Sequence, residues 1–352
     1  MMIIRRRSAI KYAIGIVVAI VVYSEWFVYL MQPLFWHKFE CQSDEHSCTK
    51  ILFIADPQIQ GDNAVSPPLS YLYNWDSDRY LRQTFATVES HFKPDVLVYL
   101  GDLMDEGSIA SMQQFHAYVK RLLLIFDIPR LVVQIWIPGD NDIGGEFESI
   151  KSEKVAEFAK VFDQPDVIAH GNISFYKVNK ITHTFPVIPE AMQNDQNIKI
   201  VISHYPVMMG SKFSQQVNDL IHPDIFFCAH EHTSKYMKIE RDLSHRTVQT
   251  IGTGDSLWLR LDEQVYYEVY VPTCSYRMGT DKIGFGAAVI EDNESVHYTV
   301  FWSPKRFPII YTYLVILCLL IACLILLLTL KVCFKLSTPH YGANKTLLKS
   351  RV

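Results

Sequence analysis

Phe307 to Leu330 contains no charged residue in 24 consecutive positions, and this run limits the possible folds more than any other feature. A bilayer core needs about 20 apolar residues in a helix; a segment this long and uniformly apolar is not an ordinary core helix. A second candidate lies near the other end. Tyr12 to Ser24 is uncharged, and beyond Glu25 the chain runs from Trp26 to Trp36 without another charge, giving a span over residues 10–30. Arg5-Arg6-Arg7 precedes it. A cleaved signal peptide should end in small residues, and Val22-Tyr23-Ser24-Glu25-Trp26 offers none, so an uncleaved signal anchor is expected.

Basic residues cluster before the first span and after the second, at Lys331, Lys335, Lys345, Lys349 and Arg351. The positive-inside rule then places both termini in the cytosol and the intervening chain on the other side. The expected organisation is a cytosolic N-terminus (1–9), a transmembrane helix (10–30), a lumenal stalk (31–50), a lumenal domain (51–304), a second transmembrane helix (307–330) and a cytosolic tail (331–352).

The chain as a whole is 49% hydrophobic and 20% charged, too apolar for disorder and too charged for a polytopic transporter. Its formal charge of −4 supplies no basic field for nucleic acid. Cys41 and Cys48 are close enough to bridge in an oxidising compartment, and two free thiols in a stalk is an equal alternative. Acceptor sequons stand at Asn172, Asn293 and Asn344. With this topology only the first two can carry glycans.

The ectodomain alternates strand and helix. Ile51–Ala55 reads as a buried strand ending in Asp56-Pro57. Leu81, Phe85, Val88 and Phe92 form one helical face within 76–92. Asp95–Leu100 returns to strand and ends in Gly101-Asp102. Ile109 to Phe126 suits a helix, and Leu131–Ile137 a strand ending in Gly139-Asp140. Another helix is expected near Phe147 to Phe162, and strands at Ile198–Ser203 and Ile225–Cys228. Such alternation predicts an α/β layered domain. From Lys235 to Trp302 the pattern is β-like, which suggests a second sheet packed on the first.

In open α/β sheets the functional crevice lies beyond the carboxyl ends of strands. Five predicted strands place Asp56, Asp102, Asp140, His204 and the pair His230/His232 there. Singly, each has an ordinary explanation, since Asp opens turns and a lone His is often a surface residue. Together, three carboxylates and three imidazoles in one crevice require cations, and two divalent ions would neutralise the one and use the nitrogens of the other.

Asp56-Pro-Gln58, Gly101-Asp102-Leu-Met-Asp105, Gly139-Asp140-Asn141-Asp142, Ser203-His204 and Ala229-His230-Glu-His232 resemble the five motifs of the calcineurin-like metallophosphoesterases, in order and spacing. The resemblance implies that family's β-sandwich, two mixed sheets flanked by helices, here with a transmembrane helix at each end. Within the family the chain is similar to the membrane-bound branch of the endoplasmic reticulum and Golgi that trims glycosylphosphatidylinositol (GPI) anchors. Gln58, Gly101–Gly107, Asp142-Ile-Gly144 and Val271–Arg277 carry that similarity.

By resemblance, one metal is held by Asp56 and His232 with Gln58, the other by Asp140, His204 and His230, and Asp102 bridges. Mn²⁺ is the implied ion, although Zn²⁺ or Fe²⁺ suits the same ligands. Gln58 replaces a usual His, Ala229 a Gly, and Asp140 a usual Asn. Asn141 stands where the family has a His that protonates the leaving group or binds phosphate; an amide can donate a hydrogen bond but gives up no proton at neutral pH. Asn141 and Asp142 are nonetheless the expected catalytic positions.

The implied function is a lumenal two-metal phosphodiesterase that removes an ethanolamine-phosphate branch from a mannose of GPI anchors, on GPI-anchored proteins or the free glycolipid, and so supports their transport from endoplasmic reticulum to Golgi. Two rivals remain. One is a pseudoenzyme that binds GPI-proteins or cargo receptors; the other is a hydrolase of a different lumenal diester or pyrophosphate, with specificity set by loops such as 63–75 and 210–216. Lys349 alone is a poor di-lysine signal and leaves the choice between endoplasmic reticulum and Golgi open.

Overall fold

A computed structural model describes residues 2–41, 48–188, 196–208, 210–241, 245–262, 264–291 and 295–337. The chain divides into two units, one of Val22–Lys305 and one of the two terminal segments flanking it. The terminal unit holds the long apolar helices. α1 (Met2–Val22) is continued by a π-helical turn, Tyr23–Phe27, and a short α2 (Val28–Leu30), while α8 spans Arg306–Ser337. Ile10–Leu30 and Arg306–Lys331 are long and apolar enough to cross a membrane.

The larger unit contains β1 (Thr49–Ile54), α3 (Leu69–Phe92), β2 (Val96–Tyr99), α4 (Met112–Ile125), β3 (Val133–Trp136), the single turn α5 (Asp140–Ile143), α6 (Ser152–Val161), β4 (Val167–His170), β5 (Ile173–Lys177), β6 (Ile198–Ile202), α7 (Lys212–Ile221), β7 (Ile225–Cys228) and β8–β13 (Lys235–Glu240, Arg246–Thr250, Ser256–Arg260, Val265–Tyr270, Gly284–Ile290 and Ser295–Trp302). One sheet has the order β10-β13-β12-β1-β2-β3 and the other β4-β5-β6-β7-β11-β8-β9. Both are mixed. β1, β2 and β3 are parallel with helical crossovers, and β5, β6, β7 and β11 are parallel to their neighbours, with α7 crossing between β6 and β7.

Alternation of side chains places Ile51, Phe53, Val98, Ile202, Phe227 and Val269 between the sheets. Phe53 stacks on Phe227 with centroids 4.1 Å apart. The outer face of the first sheet packs on α3 and α4, where Phe126 meets Phe85 and Tyr99 edge-on. α7 covers the second sheet through Phe213, Val217 and Ile221.

Three expectations change. The C-terminal β segments do not form the second sheet by themselves: β10, β12 and β13 complete the first, while β8, β9 and β11 join β4–β7. Of the expected stalk, the described residues 31–41 pack on the domain, with Trp36 on Phe301 and Phe39 buried against Phe92 and His297, and β1 already begins at Thr49. The folded unit accordingly starts near Val22. Finally, 63–75 and 210–216 are not simply loops, since α3 begins at Leu69 and α7 at Lys212.

Cys41 and Cys48 form a disulfide, with Cα atoms 6.1 Å apart. Asn172 lies half-buried in the β4–β5 turn, and Asn293 and Asn344 fall outside the described residues.

Candidate metal centre

The carboxyl ends of β1, β2, β3, β6 and β7 bring all seven expected ligands into one cluster. Asp56, Gln58, Asp102, Asp140 and His204 are buried, while His230 and His232 keep about a quarter of their side chains exposed, at 22% and 26%. Asp140 Oδ1 lies 3.0 Å from His204 Nε2 and 3.3 Å from His230 Nδ1. Asp102 Oδ1 is 3.3 Å from His204 Nε2, and Asp56 Oδ1 is 3.8 Å from both His232 Nε2 and His204 Nδ1. Gln58 Nε2 is 2.9 Å from Asp102 and 3.3 Å from His232. Asp140, His204 and His230 form one group of converging donors, and Asp56, Asp102 and His204 another.

His204 is near both groups, but chemistry assigns it to one. Its Nδ1 donates to the Leu100 carbonyl at 2.8 Å. A carbonyl only accepts, so Nδ1 carries a proton, and Nε2 faces Asp140 Oδ1, to which it donates when the ring is charged and beside which it offers a lone pair to a metal when the ring is neutral.

The backbone also marks the cluster. Asp56, Gln58, Asp102, His230 and His232 all have positive φ, as do only three other non-glycine residues among those described. Each such residue costs about 1–2 kcal/mol, and strain of this kind gathers where a precise side-chain direction matters. Gly101 and Gly139 are required by close approach: a Cβ on Gly139 would stand 2.1 Å from Asp102 Oδ1, and one on Gly101 2.7 Å from the Gly139 nitrogen.

Charge is poorly balanced. Burial pushes the Asp56 carboxyl well above its ordinary range, with the His204 charge opposing and Asp102 and Asp140 adding to the rise. Burial likewise raises Asp102. At Asp140 burial is outweighed by the hydrogen bonds and charges of His204 and His230, which hold it well below the usual range. His204 is pushed up to about 10, since Asp102, Asp140 and Asp56 overcome the effect of its burial. His232 falls to about 4 through burial and repulsion from His204 and His230.

The donor set fits divalent cations. Asp56 is fully buried, yet neither of its oxygens meets a hydrogen-bond donor in bonding geometry. A carboxylate in that position is costly unless a cation faces it. Half a turn of the Gln58 amide exchanges its nitrogen for oxygen and converts that side chain from donor to ligand.

The two expected catalytic residues separate in role. Asn141 lies at the crevice, and its amide Nδ2 and backbone N–H donate to the two oxygens of Asp102 at 2.8 and 3.0 Å. Asp142 lies behind it, fully buried, with its carboxylate accepting from the backbone N–H groups of Leu103, Met104 and Gly139. Burial and then Asp102 push it up to about 7. With both oxygens so engaged, Asp142 is a positioning residue that locks two ligand loops together, and the expectation of a catalytic role is corrected on that ground.

Several supporting residues were not anticipated. Arg277 donates to the Gln58 carbonyl at 2.8 Å and to Asp105 at 2.6 Å, and Thr273 donates to the Asp56 carbonyl at 2.9 Å. Buried Glu268 accepts from the Val207 and Met208 N–H groups and so fixes the loop after His204. Tyr205 packs on His230 with centroids 3.9 Å apart. Glu268 gave a local signal as a lone acid inside the apolar run Tyr266–Val271, and Thr273 and Arg277 lie in the Val271–Arg277 segment that carries the family resemblance, without a role assigned to either.

Residues 49–234 match the family model described as calcineurin-like phosphoesterase. Among curated relatives, metallophosphoesterase 1 of Ailuropoda melanoleuca is 27% identical over 184 residues, covering 51% of this chain and 45% of that protein. The Drosophila melanogaster metallophosphoesterase 1 homolog is 29% identical over 119 residues, covering 34% of this chain and 31% of that protein. The chain thus spans about half the length, or less, of the curated relatives it matches. A solved metallophosphoesterase from Sphaerobacter thermophilus aligns over 74% of this chain and 90% of its own, at 14% identity and a TM-score of 0.36.

Proposed function

This chain belongs to the calcineurin-like phosphoesterase family, and on that premise we propose that it is a membrane-anchored, two-metal phosphodiesterase whose substrate is the ethanolamine-phosphate branch of GPI anchors. The observation that carries the hydrolytic reading is the convergence of Asp102, Asp140, His204 and His230 beside a buried Asp56 carboxylate whose oxygens have no hydrogen-bond partner in bonding geometry. The GPI specificity and a role in transport from endoplasmic reticulum to Golgi draw on the resemblance of Gln58, Gly101–Gly107, Asp142-Ile-Gly144 and Val271–Arg277 to the GPI-trimming branch. A lumenal domain with cytosolic termini draws on the charge flanking the two apolar helices.

Divalent ions bound at the centre, Mn²⁺ on the present reading, would supply Lewis acidity toward a phosphoryl oxygen and lower the pKa of an attacking water. The chain's own part is to orient. Asp102 stands between the two ligand groups and is steered by both Asn141 donors. His204 is held in one tautomer by Leu100, and Arg277 and Thr273 hold the loop that carries Asp56 and Gln58. Asn141 can donate a hydrogen bond to a phosphoryl oxygen but cannot protonate a leaving alcohol, so a sugar or alkyl alcohol must take its proton from another group or leave more slowly.

The test is hydrolysis of bis(p-nitrophenyl) phosphate and of a GPI glycan carrying ethanolamine phosphate, by the full chain in detergent with Mn²⁺, beside Asp56→Asn. Cleavage of both, lost in the variant, supports the proposal. Cleavage of the generic diester alone points to another substrate. A second reading, a GPI-binding pseudoenzyme, is favoured by Asn141 itself; metal binding without cleavage of either ester would establish it.

A further inference from the structure

α3 has two unlike halves. From Asp76 onward its large apolar side chains are buried, and its exposed positions are Arg82, Ala86, Ser90 and His91. Its first two turns invert that pattern. Leu69, Tyr71, Leu72, Tyr73 and Trp75 are each at least half exposed, with Tyr71 reaching 71%. Helices of soluble domains do not ordinarily present five large apolar residues within seven positions to water.

The position of this tip tells what covers it. The segment after Val22 packs along α3 in the same chain direction: Glu25 pairs with Arg79, Tyr29 meets Tyr80, and Trp36 meets His91. Glu25 is buried there, and Arg79 and Gln83 also donate to its carbonyl, at 3.0 and 3.3 Å. The N-terminal tip of α3 therefore lies at the end of the unit where the chain enters, at Val22. The exit is close by, since Tyr80 donates to the Pro304 carbonyl at 2.9 Å. Both connections to the membrane-crossing helices leave from the half of the unit that carries the apolar tip.

We propose that Leu69–Trp75 at the N-terminus of α3 is an interfacial membrane anchor, seated in the same bilayer that the two apolar helices cross. Its composition fits that layer, where Tyr and Trp are enriched at headgroup level. Trp26, Phe27 and Leu30, also half exposed or more, add apolar side chains on the entering segment that packs along α3. An amphipathic surface of this kind sinks about 5–10 Å into the boundary between headgroups and acyl chains. The anchor reaches the metal loops through two bonds, Tyr276 to Asp76 at 2.8 Å and Arg277 to the Gln58 carbonyl. The inference deepens the proposed function and rests on it for one consequence: the crevice is held where phosphodiesters on lipid-linked glycans are presented.

The experiment places a spin label at Leu72→Cys in the full chain, with Cys318, Cys323 and Cys333 replaced by Ser, in phosphatidylcholine vesicles. Val248→Cys on β9, 57% exposed, is the reference. The expected result is a label at position 72 that collides with oxygen in preference to a water-soluble nickel complex, at a depth of about 5–10 Å, while position 248 favours nickel. A label at 72 as accessible to nickel as that at 248 overturns the proposal. A label shielded from both probes, in vesicles and detergent alike, marks a protein partner or second copy and overturns it equally. In a second arm, Leu72→Asp with Trp75→Asp should slow cleavage of the vesicle-borne GPI substrate and leave the soluble chromogenic diester unaffected. If no ester is cleaved at all the hydrolytic reading fails, and the depth measurement still decides the anchor.

Discussion

Asp56→Asn should stabilise the metal-free chain and lose most of the stabilisation that metal gives the wild type. Without it, the wild-type chain buries a carboxylate that has no hydrogen-bond donor, and the pKa of that group is raised by burial above its unfolded value. The native state then binds more protons than the unfolded state between those two pKa values, so stability falls as pH rises across that window. The amide has no such dependence. At pH 8 the exchange removes a desolvation cost of several kcal/mol and adds about 1–3 kcal/mol for unpartnered amide hydrogens. A net gain of about 1–3 kcal/mol remains, which at about 2–4 °C per kcal/mol for a domain near this size raises the Tm by about 2–12 °C. With metal at 100 times its Kd, the wild type gains about 2.7 kcal/mol, and a variant binding roughly 100-fold more weakly gains about 0.4. Thermal unfolding by intrinsic fluorescence, in EDTA and in Mn²⁺ at pH 5 and 8, measures both. Equal destabilisation of the two forms would refute the reasoning and make Asp56 an ordinary structural acid.

Arg277→Ala should weaken metal affinity about 10–100-fold by releasing the Gln58 loop, read by titration calorimetry; unchanged affinity would remove Arg277 from the site's support. Gly101→Ala meets the Gly139 nitrogen at 2.7 Å and His204 Nδ1 at 2.8 Å, so it should lower stability by more than the about 1–2 kcal/mol of left-handed strain and release metal. A variant that keeps wild-type Tm and metal content contradicts that packing. Asn141→His restores an ionisable group beside Asp102 and should raise turnover of poor leaving groups by up to about 10²-fold, with an alkaline limb in the pH–rate profile. An unchanged profile would show that leaving-group protonation does not limit the rate.

The ligands were legible because their signals are local: an apolar run sets the strand, and the polar residue that ends it sits in the crevice by topology. Asp56, Asp102, Asp140, His204 and His230 were placed in this way. What escaped depends on partners far along the chain. No local pattern tells whether β10 pairs with β13 or with β11, so the division of the C-terminal strands between sheets was hidden. Glu25 interrupts an apolar run and reads as a tolerated charge until Arg79, 54 positions away, supplies its partner. Asp142 resembles its ligating neighbour in sequence and differs only in direction, which α5 and three backbone N–H groups decide. Arg277 acts through a carbonyl and an acid whose proximity only the closed fold creates.

Metal content tests the central claim most directly. The full chain, purified in detergent and equilibrated with Mn²⁺, should carry close to two divalent ions per chain by elemental mass spectrometry, and Asp102→Ala, lacking the residue between the two ligand groups, clearly fewer. A folded parent chain with no bound metal would contradict the account, and so would a variant that retains two ions.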